Sequence, residues 1–172
     1  MRRTSFEGLQ CPIARSLERV GEWWSILILR DAFQGSTRFE QFQKNLDIAP
    51  NILTRRLTSL VEAGMLERRR YQDRPPRYEY VLTAQGRDFR QVIWALLAWG
   101  NRHLAPEGAS VLLVDKQTGA PVDLMMVDRN TGREVTLATV RSVAGPAADE
   151  RTRARHGTLE RDGLVSSEAR HV

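Results

Sequence analysis

Residues 47–82 read DIAPNILTRRLTSLVEAGMLERRRYQDRPPRYEYVL, and the period of the apolar residues changes partway through. Pro50 suits a first helical turn, where its missing N–H costs nothing. Ile52, Leu53, Leu57, Leu60, Val61 and Gly64 then fall on one apolar stripe, so the spacing predicts a helix that ends at Gly64. Asn51, Thr54, Arg55, Thr58 and Ser59 take the opposite face. These side chains reach phosphates and base edges when a helix lies in a major groove. Leu66 to Tyr71, a turn at Gln72 to Pro76, and Arg77 to Leu82 then read as a hairpin, with Tyr78, Tyr80 and Leu82 alternating against Arg77, Glu79 and Val81.

Charge concentrates on the same elements. Residues 51–90 hold nine arginines against five acids, a balance of +4 within a chain of net charge +5. A basic run alone is most simply a solvated face. Placed on a helix followed by a strand, a turn and a strand, it is an electrostatic footprint for a polyanion.

At 172 residues the chain can bury one ordinary core and carry appendages. One cysteine rules out an internal disulfide framework and a CxxC metal site. The longest uncharged apolar run, Val92 to Gly100, is about half of the ~18 residues needed to span a bilayer. A cytoplasmic, nucleoid-associated protein with no membrane partner is expected.

Residues 1–9 read as a frayed arm. Cys11-Pro12 then opens a helix with Ile13, Leu17 and Val20 in a stripe. Cys11 falls at or beside the N-cap, where the helix dipole favours a thiolate. Redox sensing and simple packing both fit that position. Glu22 to Phe33 is apolar almost all round and is expected at the centre of the core, with Trp23 and Trp24 packed inside rather than forming a stacking platform for bases or an aromatic ligand. Arg38 to Asn45, a turn at Leu46 to Ala49 and the helix from Pro50 make a helix-turn-helix, with the hairpin as its wing.

Thr83 can cap a long helix from Ala84 to about Leu104. Its apolar middle needs more cover than one small domain provides, and a two-fold partner would supply it, so residues 84–104 with the first helix are the expected dimer interface. Val92, Ile93, Leu96, Leu97 and Trp99 are the candidate dimer residues. The alternative is that the downstream segment folds back over them. That segment, residues 108–144, reads as a small β-meander with strands at Ser110 to Val114, Val122 to Val127 and Glu134 to Val140. Its two turns, Asp115 to Gly119 and Asp128 to Gly132, lack the alternating oxygen ligands of a calcium loop, so no metal is assigned. Residues 145–172 are polar and aperiodic, and a disordered tail is expected there.

Several runs together resemble the HxlR family of winged helix-turn-helix transcriptional regulators over about residues 6–104. They are Cys11-Pro12, Gly21-Glu22-Trp23-Trp24, Ile28-Leu29-Arg30 and Phe39-Glu40-Gln41-Phe42, then Asn51 to Leu57, Leu60 to Leu66, Tyr71 with Pro75, Arg77 to Thr83 with Gly86, and Trp99-Gly100. The sequence carries Glu22 before Trp23 where many members have lysine. The resemblance implies a homodimer bound to double-stranded DNA, with Asn51 to Ser59 on the recognition helix and Arg68 to Arg77 as wing. It also implies that Cys11 occupies the position some members use to sense oxidants or electrophiles.

The expected fold is therefore mainly α with a small β part, a winged helix-turn-helix domain followed by a long dimerisation helix, a meander and a tail. The expected function is a sequence-specific regulator, acting as a repressor on a pseudo-palindromic operator. Arg55 suits guanine and Asn51 adenine, while Thr54, Thr58 and Arg56 suit phosphate, with Ser59 on the same recognition helix. Arg56 borders the apolar stripe, so an internal ion pair competes for it. Arg69, Arg70, Arg74 and Arg77 would follow the backbone or enter a minor groove at the tip of the wing that Arg68 begins. No cofactor is expected, and a small molecule or oxidant is the expected signal. The rivals are a non-specific or architectural DNA binder, a regulator of non-covalent signal with Cys11 structural, and an interaction module acting through the meander. An enzyme is the weakest, since His103, His156 and His171 have no nucleophile motif or Gly-rich phosphate loop beside them.

Overall fold

The structure, a computed structural model, describes residues 10–157. The arm at 1–9 and the tail beyond 157 lie outside the described residues. The described residues divide into two compact units, one made of residues 16–124 and the other of residues 10–15 with 125–157. Helix α1 (Pro12–Val20) runs across the division, and all of the core lies in the first unit.

That core forms where three helices meet. Helix α2 (Trp23–Phe33) contributes Ile28 and Leu29, α3 (Phe39–Leu46) contributes Phe42, and α4 (Pro50–Glu62) contributes Leu53, Leu57 and Leu60. Gln41 Oε1 accepts the backbone N–H groups of Thr37 and Arg38, both at 2.9 Å, and so closes the start of α3. Asp47, at φ 47°, turns the chain so that buried Ile48 can precede α4.

The end of α4 is closed by a motif that requires a left-handed residue. Gly64 sits at φ 70°, its N–H donates to the Val61 carbonyl at 3.0 Å, and the Met65 N–H donates to the Leu60 carbonyl at 2.9 Å. Strand β1 (Leu66–Gln72) leaves directly from this closure and pairs antiparallel with β2 (Arg77–Leu82), Leu66 opposite Leu82 and Arg68 opposite Tyr80. The register shifts between Arg70 and Gln72. The Tyr80 N–H donates to the Thr37 carbonyl at 2.7 Å, which ties the hairpin to the residues before α3.

Three expectations are corrected within this unit. Trp24 packs against the core, but Trp23 is 75% exposed. It shares with Leu27 and Arg30 the one stripe of α2 that faces away from the core. The helix expected from Ala84 to Leu104 is two, α5 (Ala84–Asp88) and α6 (Arg90–His103). At Phe89 the N–H is nearer the Gly86 carbonyl (3.2 Å) than that of Gln85 (3.4 Å), a tightened turn at a residue whose ring packs on the core. Finally, Ser110 to Val114 and Val122 are not strands of a sheet, since the only pairing there is a single bridge, Val114 with Pro121. Proline has no N–H to extend a ladder.

The second unit repeats the pattern. A single bridge, Val127 with Glu134, closes the Asp128 turn, and Thr136 to Thr139 turn again where a third strand was expected. The two turns themselves form as read. Backbone and side-chain hydrogen bonds from Thr118 hold the Asp115 carboxyl below its ordinary range, and the Thr131 hydroxyl does the same for Asp128. The tail is also corrected, because Glu150–His156 forms helix α7. Asp149 caps it, accepting the Thr152 N–H at 2.8 Å while its own N–H donates to Gln10 Oε1 at 2.8 Å.

The start of α5 is locked to the start of β1. Thr83 Oγ1 donates to the Gly64 carbonyl at 2.6 Å, accepts the Gly86 N–H at 2.9 Å, and the Thr83 N–H donates to the Met65 carbonyl at 3.2 Å. A Cβ at Gly86 would collide with the Met65 carbonyl oxygen. Gly86→Ala is therefore expected to lower unfolding free energy by ~1–3 kcal/mol in urea or thermal denaturation. An unchanged midpoint would show that this approach tolerates a side chain.

Candidate nucleic-acid interface

The outward face of α4 carries Asn51, Thr54, Arg55 and Thr58 exposed, with Ser59 half-exposed. Their hydrogen-bonding states differ. Asn51 Oδ1 accepts the Ile52 N–H at 2.9 Å, which fixes the side chain at the start of the helix and leaves its amide N–H groups to donate outward. Thr54 Oγ1 donates to the Pro50 carbonyl at 2.8 Å, and Ser59 Oγ donates to the Arg55 carbonyl at 3.0 Å. A phosphate oxygen only accepts, so these two hydroxyls reach phosphate only by giving up their backbone partners. Arg55 has no ion pair among the described residues and presents its guanidinium in full.

Arg56 does not share that face. Its side chain is 13% exposed and forms an ion pair of 2.9 Å with Glu22 at the start of α2, with its Nε buried and unpartnered. The expectation that Arg56 touches phosphate is corrected by helical geometry. One residue beyond Arg55 lies about 100° further round, at the edge of the buried stripe of Leu53, Leu57 and Leu60.

The wing sorts its arginines into two kinds. Arg70 organises the turn, donating to the Gln72 carbonyl at 3.3 Å and the Asp73 carbonyl at 2.8 Å and pairing with the Asp73 carboxylate at 3.2 Å. Arg68 lies 3.6 Å above the Tyr78 ring, and Arg69 pairs with Glu67 at 2.9 Å. The Arg69 hydrogen bond holds the Glu67 carboxyl below its ordinary range. Arg74 and Arg77 are exposed and have no ion pair among the described residues. Arg38, which the sequence reading passed over, stacks on Tyr71 at 4.7 Å and adds a cation beside the wing. Only the long-range bridge between Arg38 and Glu79 brings it there, and no local spacing announces such a contact.

The remaining candidates fall elsewhere on the chain. The Cys11 carbonyl accepts the Arg15 N–H at 3.0 Å, so Cys11 opens α1, half-buried and with a free thiol. On α6, Val92, Leu96 and Trp99 are 44%, 47% and 55% exposed, Leu97 is half-buried and Ile93 packs on the core. Among the described residues no cluster of metal-ligating side chains forms, and no helix is long and apolar enough to cross a membrane.

Three helices around a common core, a turn that presents α4 and a basic two-stranded wing define a winged helix-turn-helix protein. The chain belongs to the HxlR-like helix-turn-helix family, whose profile matches residues 19–108, and it is a transcriptional regulator. An HTH-type transcriptional regulator of Mycobacterium tuberculosis, itself uncharacterised, is 41% identical over 142 residues, 82% of this chain and 89% of its own. A candidate transcription factor of Pseudomonas aeruginosa, of solved structure, is 60% identical with a TM-score of 0.62, over 84% of this chain and 99% of that one. The redox regulator HypR in its reduced form is 28% identical with a TM-score of 0.51, over 56% of this chain and 99% of its own.

Proposed function

We propose that the chain binds a pseudo-palindromic operator as a homodimer and represses the adjoining genes, acting in the cytoplasm at the nucleoid. The carrying observation is the exposed face of α4, where Arg55 projects without an ion pair and Asn51, held by the Ile52 N–H, keeps its amide N–H groups to donate, beside a wing that offers Arg74 and Arg77. Arg55 donates to the O6 and N7 of guanine, and Asn51 pairs with adenine through its amide. Arg74 and Arg77 lie along phosphates or enter a minor groove, with Arg68, Arg69 and Arg38 adding positive potential around them. The exposed stripe of Val92, Leu96 and Trp99 meets its copy across the two-fold axis, with Leu97 beside it. A non-specific binder needs only the basic wing. The bidentate side chains aimed outward from α4 favour sequence reading.

Cys11 is the proposed oxidant sensor. It is half-buried at a helix start, and HypR, among the relatives, is a redox regulator. With one cysteine in the chain, a two-electron oxidant would join two thiols across subunits or join Cys11 to a small thiol, releasing two protons. An electrophile would add to the sulfur directly.

Fluorescence anisotropy on a preferred site and on random duplex separates the roles on α4 and the wing. Arg55→Ala is expected to lose ~1–3 kcal/mol on the preferred site alone. Arg77→Ala should weaken both duplexes and reduce the salt slope by about one. Arg56→Ala should lower stability by ~1–2 kcal/mol through the lost ion pair to Glu22 and the lost packing of its buried side chain, with the ratio of the two affinities unchanged. Equal loss on both duplexes for Arg55→Ala would remove that residue from base reading. For Cys11, diamide treatment should change the affinity of the wild type and leave Cys11→Ser unchanged. A response retained in Cys11→Ser, or absent from both, would make the cysteine structural.

A further inference from the structure

Beside the end of α4, the first unit carries a half-open pocket of about 200 Å³. Val20 of α1, Met65 just before β1, Phe89 at the α5–α6 joint and Val92 of α6, which also begins the proposed dimer stripe, line it with apolar surface, and Ser16, Arg19, Gln85 and Asp88 supply its polar lining, the two charged groups among them being Arg19 and Asp88. Val20 and Met65 are buried, Phe89 is half-buried, and Arg19 and Asp88 are exposed. An apolar cavity of about 150 Å³ accepts benzene, so this volume holds one ring with a short substituent.

The rim sets the chemistry of that substituent. No ion pair joins Arg19 to Asp88 among the described residues. Nη1 of Arg19 donates to the Ala63 carbonyl at 3.3 Å, which places the guanidinium at the C-terminus of α4 and leaves its other N–H groups to donate. A carboxylate ligand would gain from Arg19 and be repelled by Asp88, and an ammonium would meet the reverse. A neutral hydroxyl does both jobs at once, donating to the Asp88 carboxylate and accepting from Arg19. We propose that this cavity is an effector site for a small neutral ring compound bearing a hydroxyl group.

The position explains how such a ligand acts, and this part rests on the DNA reading proposed above. Met65 immediately follows the closure of α4, and Thr83 bonds that closure to the start of α5. A bound ring touches α1, the start of the wing and the α5–α6 joint together. It therefore favours whichever arrangement of α4 and the wing keeps the three in place, and that preference is a coupling free energy to DNA.

The test uses the full chain labelled with ¹³C-methyl methionine. Met65 reports the cavity, while Met125 and Met126 are exposed and report non-specific association. Benzyl alcohol is expected to move the Met65 signal saturably and leave the other two in place, with benzoate and benzylamine binding more weakly. Asp88→Ala should weaken benzyl alcohol about tenfold and leave toluene unaffected. An unmoved Met65, equal binding of all three probes, or indifference to Asp88→Ala would overturn the site. Saturating benzyl alcohol should then change affinity for the preferred DNA at least about fivefold, and an unchanged affinity would overturn the effector role. A chain that prefers no DNA sequence would overturn the proposed function and the effector role together, while the Met65 titration would still decide the ligand site.

Discussion

Gly86 lies against the Met65 carbonyl, with Thr83 bonded to both Gly64 and Met65, and the parts proposed to face DNA depend on that contact. The same few residues end α4, start the wing and anchor the helix that follows. Gly64 at φ 70° lets the chain leave α4 at the angle the hairpin needs, and Gly86 lets the next helix approach without a Cβ between them. Buried Leu57 and Leu60 hold the other side of α4, and the closure at its end places the wing next to its outward face. Charge alone would not make that surface selective. Selectivity needs side chains held at fixed positions along a groove, which the closure of α4 provides.

Much of this was legible because short-range rules governed it. The stripe of Leu53, Leu57 and Leu60, Pro50 at the helix start, Gly64 at its end and the period-two alternation of Tyr78 to Leu82 all write local structure into local sequence. The failures share a physical cause. The residues after Leu104 have turn chemistry and β-branched side chains, but Leu112, Met125 and Leu137 find no surface to pack on, so each turn closes with one bridge and no ladder. The break at Phe89 and the exposure of Trp23 were set by which stripe met the core, a tertiary choice. Helix α7 was signalled only by Asp149 three residues before Thr152, a cap without an apolar stripe behind it. On the candidate interface, Arg55 and Arg56 are chemically identical and adjacent, and only the angle between them sends one outward and the other to Glu22.

The similarity to the Pseudomonas aeruginosa chain covers 84% of this sequence, well beyond the residues 19–108 of the family profile, whereas the similarity to HypR covers 56%. The region after Leu104 is thus shared with some relatives and outside the match to others. In this chain it starts from α6, where Asn101 Nδ2 donates to the Val111 carbonyl at 2.9 Å and Arg102 approaches Asp123 at 3.8 Å. It thus continues from the helix whose exposed stripe is the proposed dimer face.

Selection of bound duplexes from random DNA by the purified chain tests the central claim most directly. The account predicts enrichment of an inverted repeat whose half-site centres lie one helical turn apart, about 34 Å, because a two-fold dimer presents two copies of α4 to successive major grooves. Binding without enrichment of any sequence would contradict it, leaving a protein that reads only the phosphate backbone. Enrichment of a single unrepeated half-site would keep sequence reading by α4 and contradict the dimer.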